Sequence, residues 1–204
     1  MKTEQITNSR TGRPRGFDED AALDAAMRLF WEKSYDGATL NELTVAMGIN
    51  RSSMWAAFGN KEALFRLAVD RYAAIHMAYL AEALTLASIR EVVQTMIRGT
   101  VAFLGTPGNP KGCLSVQGAL TAATGSEQAK ALICDLRRRG ITRLRKRLQR
   151  AKEEGDLPLH VDPADFARYL SSVISGMAIQ AVIGATRAEL QRTGDFALTT
   201  LGYA

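Results

Sequence analysis

The sequence predicts an all-α protein with an N-terminal three-helix, helix-turn-helix head and a larger helical-bundle body. Three observations predict this fold. Apolar residues recur along most of the chain at the three- and four-residue spacing of amphipathic helices. Residues that cap helices precede these runs, and Gly- or Pro-containing turns separate them. A run of about 24 residues without Gly or Pro follows Asn60 and predicts one continuous helix that is long enough to join head and body.

The composition indicates the general class of protein. The chain has 204 residues, 47% of them hydrophobic, which is enough for a packed core. Its net charge of +5 is compatible with a polyanionic partner but does not require one. No secretory signal and no apolar run of about 18 residues is found, so we expect a cytoplasmic protein without a membrane partner. Two cysteines without metal-ligand spacing predict neither a disulfide framework nor a metal site, and no cofactor is expected.

Residues 1–16 are predicted to form a flexible basic arm, because they lack apolar periodicity. The basic side chains of this arm are Lys2, Arg10, Arg13 and Arg15. If the helices that follow bind DNA, Arg13 and Arg15 can enter the minor groove beside them. The alternative is a solubilising tail.

Residues 17–62 are predicted to form the head, with a helix-turn-helix at about 39–58. Asp18 caps the first helix, whose predicted buried stripe is Leu23, Ala26, Met27, Phe30 and Trp31. Thr39 and Glu42 have the spacing of a capping box that begins the second helix. Gly48 suits the left-handed end of that helix, and Asn50 caps the third. Met54 and Phe58 then point inward at i,i+4 spacing.

The outward residues of the third helix are of types that bind DNA. Arg51 can bind guanine O6 and N7, and serine hydroxyls can bind bases or phosphates. Trp55 offers an N–H group for a phosphate, and Lys61 lies at a helix N-terminus, which favours an anion. The predicted DNA-contacting residues are therefore Arg13, Arg15, Thr39, Asn50, Arg51, Ser52, Ser53, Trp55 and Lys61. The alternative is a helical hairpin whose polar face is merely solvated.

Residues 63–204 are predicted to form a helical body through which the chain dimerises. The further predicted helices are Ser88–Leu104, Cys113–Thr124, Ser126 to about Glu154, Pro163 to about Gly184, and Arg187–Thr200. In the third of these five helices (126–154), Leu136, Ile141, Leu144 and Leu148 are expected to face a core. Its Lys and Arg side chains are expected to face water, although a second nucleic-acid surface or an anionic-lipid surface is an alternative. The last two helices, at about 163–200, carry more apolar surface than one chain can bury, which predicts a two-fold homodimer. Gly176 in mid-helix predicts the close approach of another helix.

The segment from Gly12 in the arm through Tyr72 in the helix after the third resembles the tetracycline-repressor-like (TetR/AcrR) family of bacterial regulators. The positions that fit the spacing of the family are Thr39, Leu43, Gly48, Ile49, Met54, Phe58, Lys61, Glu62 and Leu64. The chain departs from the family pattern at Thr44, Trp55 and Ala57, where alanine, tyrosine, and histidine or tyrosine are usual. The resemblance implies a cytoplasmic dimer that binds a palindromic operator and releases it when a small ligand spreads the two heads. It also implies that residues 63–204 are an effector-binding and dimerisation domain.

Other functions stay open at this stage. Candidate effector-binding residues are Phe103, Cys113, Gln117, Met177 and Gln180. Cys113 opens a helix after a Gly/Pro loop, a position that favours thiolate, so a regulator that senses oxidants or electrophiles is an alternative. The other interpretation is that Cys113 and Cys134 are small buried apolar residues. No catalytic residues are expected, because neither His76 nor His160 has a recognisable catalytic partner. A small-molecule-binding protein or enzyme with an incidental helix-turn-helix is the remote alternative.

Overall fold

The computed structural model describes residues 16–121 and 126–203, and these residues form ten α-helices without a β-strand. The helices are α1 (Glu19–Gly37), α2 (Leu40–Met47), α3 (Arg51–Phe58), α4 (Lys61–His76), α5 (Ala78–Ala83), α6 (Ile89–Leu104), α7 (Leu114–Thr121), α8 (Glu127–Glu153), α9 (Pro163–Val182) and α10 (Arg187–Thr200). The predicted all-α fold is confirmed. Arg13, Arg15 and the rest of the arm through residue 15 lie outside the described residues, as does Thr124, the predicted end of the helix that begins at Cys113.

Local capping explains why the short helices of the head begin and end where they do. Thr39 Oγ1 accepts a hydrogen bond from the amide of Glu42 at 3.2 Å, and a Glu42 carboxylate oxygen accepts from the amide of Thr39 at 3.0 Å. These two bonds form the predicted capping box of α2. Gly48 ends α2 with φ +66°, a left-handed conformation that favours glycine. Asn50 and Asn60 cap α3 and α4 through their side-chain oxygens.

The predicted continuous helix after Asn60 is wrong, because the chain breaks at Met77 between α4 and α5. No Gly or Pro marks the break. Beyond it, the ring of Tyr79 packs so closely on α6 that a Cβ at Gly99 would lie 2.3 Å from Tyr79 Cδ2. Ala83 at the end of α5 is fully buried. Packing of α5 on α6 therefore accompanies the break and overrides the local helix propensity.

Two hydrophobic clusters hold the helices together. The first contains the predicted stripe of α1 and the inward residues of α2 to α4, and it continues into α6 to α10. The second joins α5, α6, α8, α9 and α10 around residues such as Val93, Leu148 and Leu170. The division into a head and a body at residue 62 stays a prediction.

Ion pairs between Arg71 of α4 and two aspartates of α1 hold these two helices together. The guanidinium of Arg71 in α4 donates to Asp20 at 2.7 Å and to Asp24 at 2.9 Å. This hydrogen bonding to Arg71 keeps the pKa of Asp24 below its usual value. Arg28, also in α1, donates to the carbonyl of Gly108 in the loop after α6. These contacts hold α1 against α4 and against the loop that follows α6.

One basic side chain of α8 is buried, although the Lys and Arg side chains of this helix were expected to face water. Leu144 and Leu148 are buried as predicted, but Arg147 is also buried, with only 5% of its surface exposed. Its Nη2 donates to the carbonyls of Leu86 and Ala87, at 3.0 and 2.7 Å. Arg147 therefore anchors the loop between α5 and α6 instead of facing water.

Helix α9 begins as predicted, with Asp162 as its cap and Pro163 at its first position. The expected close approach of another helix at Gly176 is not found within the described residues, because a Cβ there would meet nothing within 4 Å. None of the helices described here is long and apolar enough to cross a membrane.

Candidate DNA interface and effector cavity

Helix α3 is anchored by its inner face and presents its outer face to solvent. Met54 and Phe58 are buried, and the rings of Phe58 and Phe17 contact each other with centroids 6.4 Å apart. Ile49 fills the turn before α3, and its amide donates to the carbonyl of Thr44 at 3.1 Å. The helix is therefore held firmly enough to place its outward side chains in a groove.

Asn50 and Ser52, two of the predicted DNA-contacting residues, also take part in capping α3. Asn50 Oδ1 accepts from the amide of Ser53 at 2.8 Å and from the hydroxyl of Ser52 at 2.7 Å. Arg51 is exposed and makes no ion pair within the described residues. Trp55 is 36% exposed, one turn further along the same helix. Arg51 and Trp55 are therefore the side chains most available to a ligand of this face.

Thr39 and Lys61 are both occupied by contacts within the chain. The hydroxyl of Thr39 donates to Glu42 at 2.8 Å, and the ammonium of Lys33 also binds this carboxylate. Bonds from Lys33 and then from Thr39 lower the pKa of Glu42 to about 2. The ammonium of Lys61 lies 4.4 Å from the centroid of the Tyr35 ring, a cation–π contact, and its burial lowers its pKa. A phosphate contact from either residue stays a prediction.

A cavity of about 570 Å³ lies among α4 to α9, within the range typical of small-molecule sites. Much of its lining is apolar and includes Leu80, Met96, Phe103, Leu104, Ile141 and Ile174. Its polar and charged lining residues include Tyr79, Thr100, Cys113, Ser115, Arg137 and Ser175. Such a cavity can enclose a largely apolar molecule and orient it through a few polar groups.

The structure places two of the predicted effector residues, Phe103 and Cys113, in the wall of this cavity. The other three do not line it. Gln117 donates to the carbonyl of Lys111 at 2.7 Å, Met177 is buried in the first hydrophobic cluster, and Gln180 is exposed.

Sequence reasoning missed the cavity residues Tyr79, Thr100, Arg137 and Ser175. For Arg137 a signal existed. It lies three, four and seven residues before Gly140, Ile141 and Leu144, which is the spacing of a helix face turned towards a core.

Comparison with known proteins identifies the family. The model of "Bacterial regulatory proteins, tetR family" matches residues 22–68, and the model of "Tetracyclin repressor-like, C-terminal domain" matches residues 86–196. The chain belongs to the TetR family. It is therefore a DNA-binding transcriptional regulator, built on a helix-turn-helix.

Individual TetR-family relatives align over most of this chain. The HTH-type transcriptional repressor ComR of Escherichia coli is 32% identical over 203 residues, which cover 98% of this chain and 94% of ComR. A cysteine mutant of the TetR-family regulator CifR, in complex with a 26-bp operator duplex, is 38% identical with a TM-score of 0.83. The match covers 92% of this chain and 98% of the CifR chain. A TetR regulator from Rhodococcus sp. RHA1 is 32% identical with a TM-score of 0.62, over 90% of this chain and 99% of its own.

In this TetR-family chain, Cys113 contributes a free thiol to the cavity wall. Its Sγ accepts a hydrogen bond from the hydroxyl of Tyr72 at 3.2 Å and lies 3.2 Å from Ser115 Oγ. Burial strongly raises the pKa of Tyr72, so its hydroxyl keeps the proton that it donates. Cys134 is half-buried in α8 and does not line the cavity.

An aromatic wall, formed by Trp31, Tyr72, His76, Tyr79 and Phe103, joins the cavity to α1. Phe103 lines the cavity and stacks on Trp31, with ring centroids 5.5 Å apart. Trp31 also contacts Tyr72 and His76, each at 4.9 Å between centroids. His76 does not line the cavity, and burial, followed by the nearby Arg28, lowers its pKa. His76 therefore packs as an aromatic ring within this wall.

Proposed function

We propose that this TetR-family regulator is a cytoplasmic repressor that binds a palindromic operator as a homodimer and is released by a small molecule in the cavity. The observation that carries the proposal is the geometry of α3. Its inner face is locked by Met54 and Phe58, while Arg51 and Trp55 project outward. The 38% identical CifR is bound to operator duplex, and the 32% identical ComR is described as a repressor, which support this function.

The roles of the outward side chains follow from their chemistry. The Arg51 guanidinium, which makes no ion pair with the residues that the structure describes, can bind guanine O6 and N7 at once. This is the commonest specific contact in the major groove. Trp55 can donate its indole N–H to a phosphate and fix the orientation of α3 without reading a base. Asn50 and Ser52, which already bond each other, contribute chiefly by holding the start of α3.

Dimerisation is supported by apolar side chains that one chain leaves exposed on α9 and around α10. These side chains are Tyr169, Ile179, Val182, Ile183 and Phe196, of which Phe196 is 75% exposed. A two-fold dimer through this face would bury them and present two copies of α3. Both copies can enter successive major grooves if their spacing is about 34–36 Å, which requires a palindromic site.

The contact between the cavity wall and α1 supports the proposal that an effector releases the DNA. A ligand shifts DNA affinity only if it binds one arrangement of the heads better than the other. Phe103 contacts the cavity on one side and Trp31 of α1 on the other, so an occupied cavity can change how α1 packs.

DNA recognition is tested by selecting binding sites from a random duplex library with the wild type, Arg51→Ala and Arg138→Ala. Arg138 is an exposed arginine of α8 and serves as the matched control for lost charge. We expect a short inverted repeat from the wild type and the control, with one position per half-site lost in Arg51→Ala. Sequence-blind binding that disappears as salt is raised would show phosphate attraction alone and contradict the proposal.

The dimer is tested by Phe196→Asp, with Leu159→Asp as its control. Leu159 is 83% exposed in the turn between α8 and α9 and is not one of the five side chains of the proposed face. We expect Phe196→Asp to keep its helical circular dichroism but to halve the mass measured by light scattering, and to weaken operator binding. A monomeric wild type, or a Phe196→Asp variant that stays dimeric, would refute the assignment of this face.

A second candidate is a regulator whose signal is an electrophile or oxidant acting on Cys113. The observation that favours it is the position of Cys113 in the cavity wall, where a reagent that enters the cavity would meet this residue. Alkylation of the native protein, followed by mass spectrometry, tests this function against Cys113→Ser and Cys134→Ser. Preferential modification of Cys113 that releases operator DNA supports sensing, whereas two unreactive thiols rule it out.

A further inference from the structure

We infer that the cavity is built for an amphipathic anion, a molecule with an apolar body and a single carboxylate head. This inference deepens the proposed effector cavity and rests on it. The charged residues of the lining are three arginines from α8 and one glutamate from α5. They are Arg137, Arg139, Arg143 and Glu82. Arginine is the side chain best suited to bind a carboxylate through two parallel hydrogen bonds.

The three arginines differ in whether other side chains of the protein already bind their guanidinium groups. Arg139 is paired with Asp135 at 2.8 Å, so part of its charge is offset. Arg137 is half-buried and donates through Nη2 to Ser175 Oγ at 2.7 Å, which holds its guanidinium at the cavity wall. Arg143 makes no ion pair within the described residues. Arg137 and Arg143 therefore carry most of the positive charge available to a ligand.

Hydroxyl groups of the lining already have hydrogen-bond partners within the chain and do not compete for such a ligand. They are those of Tyr79, Thr100, Ser115 and Ser175. Ser175 donates to the carbonyl of Ser171 at 2.7 Å and thereby accepts from Arg137. Thr100 donates to the carbonyl of Met96 at 2.7 Å, so the Tyr79 hydroxyl, 3.0 Å away, donates to Thr100.

The wall from α4 to α6 consequently behaves as an apolar surface. Its side chains include Ala73, Met77, Leu80, Met96 and Leu104. An apolar chain can cover this wall, while the carboxylate meets Arg137 and Arg143 on α8. A neutral molecule of the same shape would leave the two guanidinium groups without an anion, and a cation would be repelled by them.

The test is titration calorimetry of the full chain with three probes of equal length, dodecanoate, dodecan-1-ol and dodecylammonium. We expect dodecanoate to bind about tenfold or more tightly than the alcohol, which is the order of one charge-assisted hydrogen bond, and the ammonium to bind most weakly. Equal affinities for acid and alcohol, or the absence of binding by all three, would overturn the inference.

Variants locate the preference within the cavity. In the double variant Arg137→Met/Arg143→Met, dodecanoate affinity should fall to that of the alcohol, and alcohol affinity should change by less than about twofold. Arg138→Met removes an exposed arginine of the same helix that does not line the cavity, so it should behave as the wild type. The corresponding double lysine variant should keep part of the preference. A preference for the acid that survives in the double methionine variant would also refute the inference.

Fluorescence polarisation of the selected operator separates this inference from the proposed function. Operator binding by a chain that binds none of the probes would overturn the ligand class and leave DNA recognition intact. Dodecanoate binding with the expected dependence on Arg137 and Arg143, but without loss of operator, would support the ligand class and contradict effector release.

Discussion

The replacement of Gly99 by alanine is a sharp test of how the cavity wall is packed. A Cβ at Gly99 would lie 2.3 Å from Tyr79 Cδ2 and 2.9 Å from its Cε2. Carbon atoms pack at about 3.5 Å, so the ring would have to move by about 1.2 Å. That movement would strain or break the hydrogen bond from Tyr79 to Thr100.

The expected loss of stability follows from three opposing contributions. Alanine gains about 1 kcal/mol over glycine inside a helix. Overpacking costs about 1–3 kcal/mol, and the lost hydrogen bond costs about 1 kcal/mol more. Gly99→Ala should therefore lower the free energy of unfolding by about 1–3 kcal/mol. The matched control is Gly140→Ala in α8, where a Cβ would meet nothing within 4 Å and only the helix gain of up to about 1 kcal/mol applies.

Thermal unfolding followed by circular dichroism distinguishes the two variants. For a chain of this size, 1 kcal/mol shifts the melting temperature by about 2–4 °C, so the variants should differ by roughly 10 °C. All samples must be compared at one protein concentration, because dimerisation would make the melting temperature depend on it. A Gly99→Ala variant as stable as Gly140→Ala would refute the packing of Tyr79 on α6.

Three further predictions concern the head and the loop before α7. Asn50→Ala should lower the free energy of unfolding by about 1 kcal/mol in urea, because it removes the cap of α3. The pKa of Glu42, which Lys33 and the helix cap lower to about 2 from 4.5, gives a stabilisation that is fully present above pH 4.5 and is lost as the pH falls towards 2. The difference in urea midpoint between wild type and Glu42→Ala should shrink over that interval. Gly112→Ala should destabilise by about 1–3 kcal/mol, more than Gly108→Ala, because both have positive φ but only the first meets a methyl of α9 at 2.4 Å.

The helix-turn-helix could be predicted from the sequence because its signals are local. The capping box of α2, the left-handed Gly48 and the Asn50 cap each act within about four residues of the chain. The same locality explains why Asp162 and Pro163 correctly marked the start of α9. In these segments, side-chain chemistry and backbone geometry favour the same structure.

The remaining features depend on contacts between residues far apart in the chain. The break at Met77 accompanies the packing of Tyr79 on Gly99, twenty positions further along the chain. Arg147 has the helical spacing of the buried Leu144 and Ala151, but its charge favoured a position in water. It is buried because the carbonyls of Leu86 and Ala87, far away in the chain, accept its hydrogen bonds. The cavity has walls from six helices, so only Phe103 and Cys113 among the predicted effector residues lie in it.

The two walls of the cavity have different tasks in the mechanism that we propose. The arginines of the α8 wall attract an anionic ligand and so select it. In the aromatic wall, Phe103 lines the cavity and stacks on Trp31 in α1. Trp31 Nε1 is buried without a hydrogen-bond partner within the described residues, so packing rather than a polar bond sets the position of the ring. Close-packed interiors transmit a displacement to their neighbours. We therefore expect the charge of a ligand to determine whether it binds, and its volume against Phe103 to determine whether the heads move.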